Sequence, residues 1–147
     1  SIEIQLLKQF ITNKHIKQEL ELYETDDNLT WFDIYIGKKV RSGLKKLAIN
    51  HSLNISISGI PAVISYVFES PNSLAYKTLI TQEMLKKGFL ASTNFYACIA
   101  HDDSKIDSYF NALDEIYKLI SNCENNLLDV NKLLKGPICH AGFERLN

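Results

Sequence analysis

The chain is poor in the residues that punctuate a fold. It has three prolines and six glycines in 147 residues. That excludes collagen-like repeats and Pro/Gly-rich disorder. Of its 16 cations only Arg41 and Arg145 are arginines. Few planar forks are therefore available to grip phosphate or carboxylate in bidentate fashion. The formal net charge is -1, which disfavours a nucleic-acid binder carried by a basic surface. No apolar run approaches the roughly 18 residues that span a bilayer. The longest, Ile60 to Ile64, is strand-sized. The N-terminus lacks the basic-then-apolar pattern of a signal peptide. It also lacks an initiator Met, so a processed chain or an excised piece is expected. Three cysteines, Cys98, Cys123 and Cys139, are an odd number at no repeating spacing. They read as free thiols in a reducing compartment, the cytosol.

What is present fits one globular domain. Apolar residues make up 46% and charged ones 22%, enough to bury an ordinary core under a solvated surface. Ile4, Leu7 and Ile11 sit at helical spacing over 2–12, and a second short helix is expected over 15–23. A polar turn at 24–28 precedes a long helix, roughly 29–50. Ile36, Val40, Leu44, Leu47 and Ala48 form its apolar stripe. The period then changes. Ile55 and Ile57 alternate with polar neighbours as in a strand, which Gly59-Ile60-Pro61 interrupts. Residues 62–68 read as a second strand, apolar enough on both faces to be central and covered. Ser73 is the expected N-cap of the next helix, and Lys86-Lys87-Gly88 its end. A third strand is expected over Phe95 to Ile99. Asp102-Asp103-Ser104 then caps a long helix to about Asn122, buried along Ile106, Phe110, Leu113, Tyr117 and Ile120. A short helix over 128–134 precedes the tail. This order gives an α+β domain, a small antiparallel sheet of about three strands covered by helices.

Residue chemistry alone assembles no catalytic group. His101, Asp102 and Asp103 are adjacent, and consecutive side chains rarely converge on one ion. Cys139-His140 has no partner at metal-ligand spacing. No glycine-rich run opens a helix, so no phosphate loop is present. Lys38, Lys39, Arg41, Lys45 and Lys46 cluster on the first long helix. They suit a solvated face better than an anionic partner.

One stretch carries more. Gln82-Glu83-Met84 leads to Gly88, followed by Ala100-His101-Asp102-Asp103 and then Ile106-Asp107. Upstream, Gly37 to Ala48 is a long helix, followed by a Gly59-Ile60-Pro61 turn and a strand. This resembles the small C-terminal domain of class III pyridoxal-phosphate-dependent aminotransferases, in the glutamate-1-semialdehyde 2,1-aminomutase-like branch. The resemblance covers 35–120 and extends loosely over 1–34. Domain limits of 1–127 follow from it, with 128–147 a C-terminal extension.

The resemblance implies that this chain is part of a longer transaminase or aminomutase, a transferase or isomerase that is cytoplasmic and homodimeric. The Schiff-base lysine and the phosphate cup would belong to a preceding large domain. That domain is the implied partner, with pyridoxal 5'-phosphate bound there and none held by this chain alone. No catalytic, cofactor-binding or metal residue is assigned here, and neither nucleic acid nor a membrane is an expected partner. Thr93, Asn94 and Tyr96 are the substrate-proximal candidates, on the segment that passes the cleft in the family. That segment, 89–99, has no cation where many class III transaminases carry an Arg, and none of the aminomutases' Glu. The long helix would pack on the large domain, leaving an apolar patch on it or near Trp31 and Phe32 in isolation. The alternative is a free-standing, non-catalytic α+β interaction module.

Overall fold

A computed structural model of the chain describes residues 31–97 and 101–141, with the side chains of 31–33 excepted. The helices expected over 2–12 and 15–23, Cys98, and the Trp31 and Phe32 side chains lie outside the described residues. The elements run α1 (Trp31–Asn50), β1 (Ile55–Ile60), β2 (Val63–Phe68), α2 (Ser73–Lys86), β3 (Asn94–Tyr96), α3 (Asp103–Glu124) and α4 (Val130–Leu133). The strands form one antiparallel sheet in the order β1-β2-β3. The α+β architecture and the central place of β2 agree with the sequence.

Alternation along the strands sorts the sheet into two faces. Ile64, Tyr66 and Phe68 of β2 and Phe95 of β3 point inward and are buried. Ile55 and Ile57 lie opposite Phe68 and Tyr66 on the same face. The apolar stripes of α1, α2 and α3 close over that face, and Val40, Leu44, Leu79, Ile80, Leu113 and Ile120 are fully enclosed. Among the described residues the other face is only partly covered: Val67 is 54% exposed there, while Val63 and Ser65 are half-buried. A row of apolar side chains, Ile60–Val63–Tyr96, crosses this outer face in register.

The stripe on α1 is consumed inside the domain. Of its described large apolar residues only Ile49 is exposed. Exposed apolar side chains on the sheet are Ile60, Val67 and Tyr96, and others, among them Leu85, Leu90 and Leu127, lie on the helix Ser73–Lys86 and in loops. Two of the α1 cations are also spoken for: Lys39 reaches Asp103 at 2.7 Å, and Arg41 donates to the Gly59 carbonyl at 2.8 Å.

The β1–β2 connection turns in two residues, with Ile60 paired to Val63. Pro61 holds its own φ negative, which excludes the mirror-image turns that such short hairpins favour. The chain bends one pair earlier, at Gly59, where φ is +95°. Gly59 therefore belongs to β1 and does not interrupt it. A Cβ there would overlap the Val63 carbonyl, and one at Gly37 of α1 would overlap Pro61. Gly59 lets the hairpin bend onto its own partner strand, and Gly37 lets α1 close onto the hairpin turn. Gly59→Ala is expected to cost about 2 kcal/mol or more, read as a lower urea midpoint. An unchanged midpoint would show that the bend tolerates a side chain.

Local signals account for the helix ends. The N-cap of α2 is Asn72 and not Ser73, which is the first helical residue; Asn72 makes no side-chain cap bond. Ser70 takes the stabilising role, accepting from the Asn72 N–H at 3.1 Å and donating to Glu124 at 2.7 Å. Gly88 ends the helix with φ +85°, as its sequence suggests. Beyond α3, residues 128–141 pack back on α2. Gln82 donates to the Leu133 carbonyl and accepts from the Lys135 N–H, while the Cys139 N–H donates to Thr78 Oγ1. Among the described residues no helix is long and apolar enough to cross a membrane.

Candidate functional site

The site grows from three pieces of chain. Past Gly88 the chain extends through Phe89, Leu90 and Ala91 into β3. On one side β3 pairs with β2. The Tyr66 N–H donates to the Thr93 carbonyl and the Ala97 N–H to the Ala62 carbonyl, both at 2.9 Å. Antiparallel pairing alternates. The main-chain groups of Asn94 and Tyr96, between those bonded positions, therefore point away from β2 along the other edge. No described strand pairs with that edge. The third piece is the first two turns of α3.

A cleft of about 510 Å³ lies between these pieces. Its wall is aromatic. Tyr109 meets Phe89 and Phe95 edge-to-face with centroids 6.2 and 5.6 Å apart, and His101 lies over Phe95 at 5.0 Å. Asn94 and Tyr96 line it from β3, and Ser104, Lys105 and Ser108 from α3.

The structure thus brings two of the three substrate-proximal candidates to one wall. Thr93 is only 4% exposed and does not line the cleft. Asn94 Oδ1 accepts from the Ser65 hydroxyl at 2.9 Å, and Tyr96 is 64% exposed. Phe89, Leu90 and Tyr109 were not singled out from sequence. Leu90 left a faint signal: an apolar residue just past a helix-ending glycine, 96% exposed.

The opening of α3 shows what its charges do. Asp102 is the N-cap, and its carboxylate accepts from the Lys105 N–H at 2.8 Å. That bond, with the Lys105 ammonium at 3.1 Å, holds the carboxyl below the ordinary aspartate range. The shift stabilises the fold above the unfolded pKa, and the gain is lost as pH falls through the folded value. Asp102→Ala is expected to lower the urea midpoint at neutral pH, with the difference from the parent chain shrinking below about pH 4. A difference that persists in acid would mean the carboxylate bond is not its source. Asp103 pairs with Lys39. There, burial of the ammonium opposes its charge, but the Asp103 contact outweighs it and raises the Lys39 pKa. The three charged or ring residues 101–103 thus serve a stacking contact, a cap and an ion pair. Among the described residues no three metal-ligating side chains converge.

The lining does not fit pyridoxal phosphate as a tenant of this chain alone. Among the described lining residues the one lysine, Lys105, is engaged with Asp102, and no glycine-rich turn contributes to the wall. The motif residues around 82–88 also have structural duties: Gln82 ties down the tail, Glu83 pairs with Lys86 and Met84 is buried. Compared with protein-family models, with curated proteins and with solved structures, the chain matches none.

Proposed function

We propose that this chain is the small domain of a class III-type pyridoxal-phosphate-dependent aminotransferase or aminomutase. It forms one wall of an active-site cleft whose cofactor is held by a preceding large domain of the same polypeptide. The observation that carries the reading is the placement of Asn94 and Tyr96 on one cleft wall, between a helix ending at Gly88 and a helix opening at His101-Asp102-Asp103. The order of elements and the quoted motifs support the reading. Fold alone does not assign an activity. The role of this chain is to exclude water from one side of the cleft and to select substrates by shape and neutral polar groups. The parent is proposed as cytoplasmic and homodimeric.

The coding region tests this reading. An upstream frame encoding a large domain with a Schiff-base lysine is the expected result. A stop codon and initiator Met directly before Ser1 would contradict it.

One observation favours the second reading, an interaction module without catalysis. The row Ile60–Val63–Tyr96, exposed at Ile60 and Tyr96, is a surface that a protein partner would cover.

A further inference from the structure

We infer that the cleft beside β3 binds an uncharged, ring-bearing small molecule that carries hydroxyl or amide groups. This goes beyond the aminotransferase reading and does not depend on it. Three features of the lining carry the inference.

The first is size and surface. The volume of about 510 Å³ falls in the range of roughly 300–1,000 Å³ typical of small-molecule sites. Phe89, Phe95 and Tyr109 offer ring faces and edges set at steep angles to one another. A flat or puckered ring entering the cleft meets an apolar wall and need not displace a charge.

The second is the supply of neutral hydrogen-bonding groups. The Ser104 and Ser108 side chains lie on the α3 side. The main-chain N–H and C=O groups of Asn94 and Tyr96 run along the β3 side, where alternation turns them away from β2. Each of these groups suits a hydroxyl or an amide and none supplies a full charge.

The third is electrostatic. Among the described lining residues none is acidic, and the carboxylates at the α3 opening, Asp102 and Asp103, already face Lys105 and Lys39, so a cationic ligand finds no unpaired counter-charge in the wall. Lys105, the one lysine among the described lining residues, already faces Asp102. Asp102, Asp103 and Asp107 crowd the start of α3, with Lys39 shared between the last two. An anion would meet that acidic turn and compete with Asp102 for the helix N–H groups. Burying either charge unpaired is unfavourable.

The test uses one ring with three head groups: benzyl alcohol, benzoate and benzylamine. Each is titrated into the isotope-labelled 147-residue chain and followed through its amide resonances. Benzyl alcohol is expected to give saturable shifts at Leu90, Asn94, Tyr96, Ser104 and Ser108. The two charged analogues should bind at least about tenfold more weakly. Ser108→Trp, at an exposed position on the rim, should abolish the shifts and leave the thermal midpoint in place. Tyr96→Ala, on a side chain 64% exposed, should weaken binding without unfolding the domain. Shifts that never saturate, shifts mapping away from the cleft, a charged analogue binding as tightly, or binding that survives Ser108→Trp would each overturn the inference. The cofactor reading fails separately. Cleft binding in a chain whose longer parent takes up no pyridoxal phosphate removes the aminotransferase and leaves the neutral-ligand site. A parent that takes it up, with no cleft binding here, does the reverse.

Discussion

Tyr117→Ala is expected to cost about 3–5 kcal/mol, a large share of a domain stability of about 5–15 kcal/mol. Tyr117 is fully buried at the junction of α3 with the sheet. Its ring meets Phe68 at 5.4 Å, Tyr66 at 6.4 Å and His51 at 6.4 Å. Removing it leaves a ring-sized void against side chains held by β2 and by the turn after α1, which cannot close up. Tyr117→Phe should behave in the opposite way. The Tyr66 and Tyr117 hydroxyls lie near each other in the core, yet neither completes a hydrogen bond of good geometry. Deleting one buried, unsatisfied hydroxyl should be neutral or mildly stabilising. Urea denaturation of the two variants decides the matter. A Phe variant as damaged as the Ala variant would show that the hydroxyl, and not the ring, holds this junction.

Alkali should unfold the domain in one step. Four of the seven tyrosines, Tyr66, Tyr76, Tyr109 and Tyr117, hold their protons above the ordinary tyrosine value. Burial is the largest cause at each. At Tyr76 the Glu124 carboxylate, 2.5 Å from the hydroxyl, adds to it and pushes the pKa up to about 12. The sign follows from linkage. A folded pKa raised above the unfolded one stabilises the fold fully below the unfolded value, here about 10, and the gain is lost as pH climbs beyond it. The tyrosinate absorbance of these four residues should stay silent at about pH 10 and then appear together with loss of the circular-dichroism signal. Smooth ionisation of all seven near that pH, with the helical signal intact, would contradict the buried cluster.

These two results test the part of the fold that the sequence made most legible. The stripe on α3 was readable because helical period, an Asp N-cap and a long uninterrupted run all agree. The core faces of β1 and β2 were readable from alternation alone. The failures have physical reasons. Gly59 looks like a break because glycine usually ends a strand, but here it bends one that continues. The second face of β2 is apolar enough to be buried, but strand composition does not say whether anything covers it. Ser73 matches the N-cap preference, yet the chain begins the helix one residue earlier and lets Ser70 serve the turn.

The candidate site was less legible. Asn94 and Tyr96 were reachable because the resemblance points to their segment. Phe89 and Tyr109 were not, since their contact joins residues far apart in the chain and exists only once α3 lies on the sheet. Thr93, chosen with its neighbours, faces the interior because strand alternation sends every second residue there.

The most direct test of the account is the visible absorption spectrum of the longer polypeptide proposed to contain this chain, incubated with pyridoxal phosphate, beside the same experiment on the 147 residues alone. The account predicts a borohydride-sensitive band from lysine-bound cofactor in the longer protein and none in the chain alone. The absence of that band from the longer protein would contradict it.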